Sequence, residues 1–163
     1  MRFNEFIVRE AIIPDLTAED RDGVLKELVS SLAQNGAIPK TAVDEIVEAL
    51  IKREKNGSTG FGKGVAVPHV KHAKVKKMVG TIGRSTGGID FAALDNQPVY
   101  SIVLLLSPMP EDKALQAAAA QQHLQAMNVV FNNLQKDTFR RFLRQSQTQE
   151  AIADLLDEAD QGK

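Results

Sequence analysis

The stretch REKNGSTGFGKGVAVPH runs from Arg53 to His69. It leaves a charged, helix-like segment, crosses a glycine-rich loop and ends in a short apolar strand stopped by Pro68. Eight of the eleven glycines lie between Gly57 and Gly88. Glycine tolerates positive φ and brings no Cβ, so close backbone approach is concentrated there. Pro68 locks its own φ and pushes Val67 towards the extended region. Together these residues hold a histidine at a strand end beside a glycine-rich loop.

Working outward, residues 3–13 read as a short strand-like lead-in ended by Pro14. Thr17 offers an N-cap with Asp20 three residues on, and Val24, Leu25, Leu28, Val29 and Leu32 follow helical spacing up to Gln34. Asn35-Gly36 is a helix stop. Pro39 and Thr41 open a second helix with Val43, Ile46, Val47, Leu50 and Ile51 on its apolar face. After the loop, Val65 to Val67 reads as a buried strand, 70–78 as a basic connection, Gly80 to Ser85 as a strand and Gly87-Gly88 as a turn. Val99 to Ser107 is a continuous apolar run, the mark of a strand covered on both faces. A long Ala- and Gln-rich helix follows from Asp112 to Leu134, with Leu115, Leu124, Met127 and Phe131 on or near one face. Asp137 or Thr138 caps a short helix to Leu143, and Thr148 caps the last one. Helices alternate with strands. The expected architecture is one α/β layered domain over residues 1–163, with a small mixed, mostly parallel sheet flanked by helices.

Composition narrows the function classes. The chain has 163 residues and a formal net charge of −1, which gives no argument for nucleic acid or an anionic membrane surface. There is no Trp and one Tyr, so base-stacking platforms are not expected. The absence of Cys excludes disulfides, thiolate metal sites and a cysteine nucleophile. The apolar run Ile102 to Leu106 is far short of the about 20 residues a membrane span needs. The N-terminus lacks a signal-peptide core, so a cytoplasmic location is expected.

His69 is the residue best placed for chemistry. A neutral imidazole has one ring nitrogen with a free lone pair, able to accept a phosphoryl group and release it. The incoming oxygens then need donors and positive charge. Loop N–H groups, including that of Gly60, can supply donors. Ser58 and Thr59 add hydroxyls, and Arg53 adds a guanidinium fork suited to phosphate. The plain alternative for Arg53 is an ion pair with Glu54 or Asp44. His69 and His72 form H-x-x-H, but on a strand these positions face opposite ways, so no metal site is expected. The run Gly57 to Lys63 matches seven places of a Walker A motif, but Gly64 stands where its hydroxyl belongs, and the loop follows a helix and opens a strand. Nucleotide hydrolysis and dinucleotide binding are therefore rejected. His123, within AAAAQQHLQAM, reads by pattern as a surface histidine.

Arg53, Glu54, Ser58, Thr59, Gly60, Gly62, Gly64, Ala66, Pro68 and His69 together resemble the motif of the enzyme IIA phosphocarriers of the fructose–mannitol–nitrogen class, from the bacterial phosphoenolpyruvate-dependent phosphotransferase system. The segment from Gly88 to Pro108 is similar to that family's middle segment, and His123-Leu124 with Met127 and Leu134 resembles its helix motif. The resemblance covers about residues 5–158. It implies a mannitol-type enzyme IIA fold, with His69 accepting a phosphoryl group from phospho-HPr and passing it to an enzyme IIB domain or serving a regulatory protein. It implies that His123 packs beside His69 and orients it. Arg53, with Ser58, Thr59 and Gly60, would bind the phosphoryl group, without cofactor or metal. Two branches stay open: sugar uptake, or a nitrogen-regulatory module switched by phosphorylation. The lack of a fused IIB, IIC or HPr-like domain leans towards the second; a degenerate binding module is a weaker third.

Overall fold

The computed structural model describes residues 1–162. Its centre is β5 (Val99–Pro108), the apolar run singled out above. Ile102, Leu104 and Leu106 point to one side, and Val103 and Leu105 to the other, into two separate apolar clusters. The first cluster is closed by α1 (Arg21–Gln34) and α2 (Val43–Lys55). The second is closed by α3 (Lys113–Leu134), α4 (Asp137–Gln145), α5 (Gln149–Asp160) and by Phe3 and Phe6. Helices thus cover both faces of the sheet, which is why β5 carries no polar alternation. Each fully buried Leu or Ile in these clusters contributes about 1.5–3 kcal/mol.

The sheet is mixed. One edge of β5 pairs in parallel with β2 (Val65–Ala66) and then with β3 (His69–His72). These are two pieces of one interrupted strand. Between them Pro68, which has no N–H, contributes only its carbonyl, accepting from Leu105 N at 3.0 Å. The other edge of β5 pairs antiparallel with β4 (Val79–Ile89), and β1 (Gly60–Gly62) folds back antiparallel on β2. Parallel and antiparallel pairings are therefore even in number, rather than mostly parallel.

Several expectations need correction. The lead-in forms two 3-10 turns, Phe3–Glu5 and Arg9–Ala11, and touches β4 only at the isolated bridges Ile7–Gly80 and Ile13–Gly83. The first helix is capped by Asp20, whose carboxylate accepts from Gly23 N at 2.7 Å, while the Thr17 and Ala18 N–H groups go to Glu27. The stretch after His69 begins as a strand, which a basic, weakly apolar sequence hid. Gly87-Gly88 lies inside β4 as an irregularity in its pairing, with Gly88 at φ 86°. In α3 the buried stripe is Ala126, Val130 and Leu134, whereas Leu115 and Leu124 are exposed. Thr148 caps its helix as expected, accepting from Ala151 N at 3.0 Å, and Asp112, expected only as the start of the long helix, caps it by accepting from Leu115 N at 3.0 Å. Among the described residues no helix is long and apolar enough to cross a membrane.

Candidate functional site

His69 opens β3 directly after the proline break, half-buried. Its Nδ1 lies 2.8 Å from the Val67 carbonyl oxygen. A carbonyl can only accept, so Nδ1 carries the proton and Nε2 keeps the lone pair in the neutral ring. The turn at Val67-Pro68 that interrupts the edge strand thus also sets the tautomer. It leaves the outer nitrogen with the free lone pair.

His123 faces this ring from α3. The two imidazole centroids are 5.5 Å apart, with planes inclined at 49°. The Nδ1 of His123 is 2.6 Å from the hydroxyl of Ser107, a buried residue near the end of β5. Desolvation first, then the nearby His69 and Lys71, lowers the pKa of His123 from 6.5 to about 4. Burial disfavours an imidazolium, and a positive charge on Lys71 or on the neighbouring ring would disfavour it further. His123 is therefore neutral near pH 7, and its Nδ1 is tied to Ser107. The pair His69–His123, joined in the sequence only by the resemblance, is in contact here.

The loop residues play a different part from the one their side chains suggest. The Thr59 hydroxyl donates to the buried carboxylate of Glu54 in a short contact, and Thr59 N donates to the same carboxylate at 3.1 Å. The Ser58 hydroxyl donates to the Phe91 carbonyl at 2.6 Å and accepts from Gly60 N at 3.0 Å. These donors are engaged within the loop. Gly60 is packed so closely that a Cβ there would meet Ala93 Cβ at 3.0 Å. Phe61, in β1, packs against Phe131 of α3 with centroids 5.0 Å apart, joining the glycine hairpin to the helix that carries His123. Arg53 pairs with neither Glu54 nor Asp44; its Nη1 donates to the Gly57 carbonyl at 2.8 Å. The structure shows no hydrogen bond from Arg53 to either imidazole.

His72 points away from His69, as the strand period requires. Its Nδ1 accepts from Lys74 N at 3.1 Å, and its Nε2 is 3.7 Å from Glu45, which also binds Lys74 at 2.9 Å. Two roles were not foreseen from sequence. Glu54 anchors the loop, and its signal was a carboxylate five residues before a hydroxyl in a glycine-rich segment. Ser107 holds His123, and its signal was a lone hydroxyl at the end of an apolar strand.

The family described as phosphoenolpyruvate-dependent sugar phosphotransferase system, EIIA 2, matches residues 5–159. The chain is 33% identical over 156 residues to a nitrogen regulatory protein of Bradyrhizobium diazoefficiens, covering 96% of this chain and 95% of that one. It is 28% identical over 160 residues to the fructose-specific EIIABC component of Bacillus subtilis, covering 98% of this chain but spanning only 24% of that longer protein. Among solved structures, the nitrogen regulatory protein IIA-Ntr of Neisseria meningitidis superposes with a TM-score of 0.80 at 28% identity, covering 94% of this chain and 98% of that one. A match over nearly the whole chain, agreeing with the geometry around His69, places this protein in the EIIA 2 family of the phosphoenolpyruvate-dependent phosphotransferase system.

Proposed function

We propose that this chain is a phosphocarrier. Its His69 takes a phosphoryl group from the phosphohistidine of HPr and hands it to a cysteine or histidine of an enzyme IIB domain. One observation carries the reading: His69 Nδ1–H is fixed on the Val67 carbonyl, so Nε2 presents its lone pair outward. In the forward step that lone pair attacks phosphorus in line. The Nε2–P bond forms as the donor's N–P bond breaks, and the donor imidazole recovers its lone pair. No proton moves, because Nδ1 keeps its own. Handing the group on reverses these roles with the next nucleophile.

The rest of the site works by positioning and by neutral donors. With Ser107 Oγ–H donating to His123 Nδ1, the His123 proton sits on Nε2, free to donate to a phosphoryl oxygen. Arg53 at the end of α2 supplies the positive charge. Ser58, Thr59 and Gly60 act on the phosphoryl group through the loop shape they hold. The exposed Met109 and Leu124 lie next to Pro108 and His123, and they offer an apolar rim for transient docking of HPr and IIB.

The nitrogen-regulatory relative, matched over nearly its full length, favours a second output for the same chemistry. There the phosphorylation state of His69 switches binding to a regulatory partner. The test is phosphoryl transfer from phosphoenolpyruvate through enzyme I and HPr, read by intact mass. One acid-labile phosphoryl group on the wild type and none on His69→Ala is expected. No group on the wild type with its cognate HPr would contradict the reading.

A further inference from the structure

The far end of the sheet holds a second concentration of chemistry. A cleft of about 540 Å³ lies between the β1 hairpin, β4 and α4. Its wall contains Lys63, Arg84, Arg140, Arg141 and Arg144 against a single carboxylate, Asp137, leaving a formal charge of +4. The chain as a whole carries −1, so this is a local concentration and not a general basic character. Its volume lies within the roughly 300–1,000 Å³ of small-molecule sites.

Arg84 is the informative member. It is 8% exposed, and among the described residues it has no carboxylate partner. Its Nε donates to the Arg144 carbonyl at 2.6 Å and its Nη1 to the Pro14 carbonyl at 3.0 Å. The Arg144 carbonyl lies in the last turn of α4, so the negative end of that helix offsets part of the buried charge. Carbonyl dipoles do not neutralise a guanidinium, and burying an uncompensated charge is costly. Three further arginines beside it increase that cost, and only Arg140 has a carboxylate, Asp137. An anion in the cleft would complete the charge balance.

The other cations are held ready. The Arg144 guanidinium lies 3.6 Å from the Tyr100 ring centroid, a stacked placement that leaves its N–H edge for a ligand. Lys63 sits at φ 59°, and its N–H is held by the Asp95 carboxylate at 3.0 Å. That contact, with the Gln97 N–H, lowers the Asp95 pKa.

The geometry points to a polyanion site: this cleft binds a small molecule carrying two or more phosphate groups. It is separate from His69. Arg84 pairs with Ser101 on one edge of β5, and His69 with Leu105 on the other. Four residues along and two strands across, the Cα atoms are roughly 16 Å apart. A di- or triphosphate matches several guanidinium forks at once, where a single phosphate matches one. The cations gather in one cleft of about 540 Å³ and not along an extended stripe, which suits a compact ligand better than a nucleic acid strand.

Isothermal titration calorimetry with inorganic triphosphate, in metal-free buffer at low salt, tests this. One site per chain is expected, weakening with added salt. Lys63→Glu and Arg141→Glu, whose exposed side chains make no hydrogen bond, should weaken it by about tenfold or more each. His69→Ala should bind as the wild type does, so this test is independent of the phosphocarrier reading. Tighter binding of a nucleoside triphosphate than of triphosphate would support the site and add a base contact; equal binding would support recognition of the phosphates alone. No triphosphate heat, unchanged affinity in both charge-reversal variants, or binding only of a single-stranded oligonucleotide would overturn the proposal.

Discussion

The two ends of β5 handle charge in opposite ways. At the C-terminal end, His69 and His123 meet through neutral hydrogen bonds, to a backbone carbonyl and a serine hydroxyl. At the N-terminal end, around Ser101 and Tyr100, four arginines and a lysine crowd one cleft. A transferring nitrogen needs a lone pair, and a protonated ring would lose it. A binding cleft needs only attraction. Under the two proposals, the same strand supports one end that passes a charged group on and another that retains an anion. What differs is the choice of partners: a neutral carbonyl and a hydroxyl at one end, five cations with one carboxylate at the other.

The contrast can be broken most severely at His69, where alanine should abolish phosphoryl uptake. His123→Ala should lower the transfer rate by about a hundredfold while leaving the fold intact, measured by rapid-quench transfer from phospho-HPr and by thermal melting. Undiminished transfer would remove His123 from the mechanism. Ser107→Ala should slow transfer by about tenfold by freeing the His123 ring, and Ser107→Thr should restore it. A Ser107→Ala protein with wild-type rate and an unchanged His123 tautomer by NMR would show that the hydroxyl is mere filling.

Acid sharpens the same contrast. Folded, His123 titrates near 4; unfolded, near 6.5. Between those values the unfolded chain binds the extra proton, so stability falls as pH drops through that window and His123→Gln should flatten the fall. Urea midpoints from pH 7 to 4 check this, and a His123 midpoint above 6 by NMR would contradict the desolvated placement. The smallest effect is expected from Lys63→Glu and Arg141→Glu, which should leave phosphoryl transfer within about twofold of wild type, since they act at the other end.

Local signals were legible in the sequence and non-local ones were not. The apolar run Val99 to Ser107 announced a two-sided strand, and Thr148 announced the last helix, because period and capping are properties of adjacent residues. The strand at His69 was hidden. HVKH has little apolar character, and only the parallel pairing with residues 105–108 makes it a strand. In α3, Leu124 looked like core and is exposed, while the small Ala126 is buried, because the face that carries His123, Ala126 and Val130 is the one turned to the sheet. His69 itself stood out through the glycine loop and Pro68. Ser107, the partner of His123, did not, since a lone serine in a strand says nothing of the helix that crosses it. The arginine cleft was least legible, being assembled from a hairpin, a strand and a helix far apart in the chain.

The most direct test of the central claim is long-range proton–nitrogen NMR on the protein phosphorylated through HPr, with nitrogen-labelled histidine. The account predicts phosphorus coupling at Nε2 of His69 and a retained, hydrogen-bonded Nδ1–H. Phosphorus coupling at Nδ1, or on another residue, would contradict it.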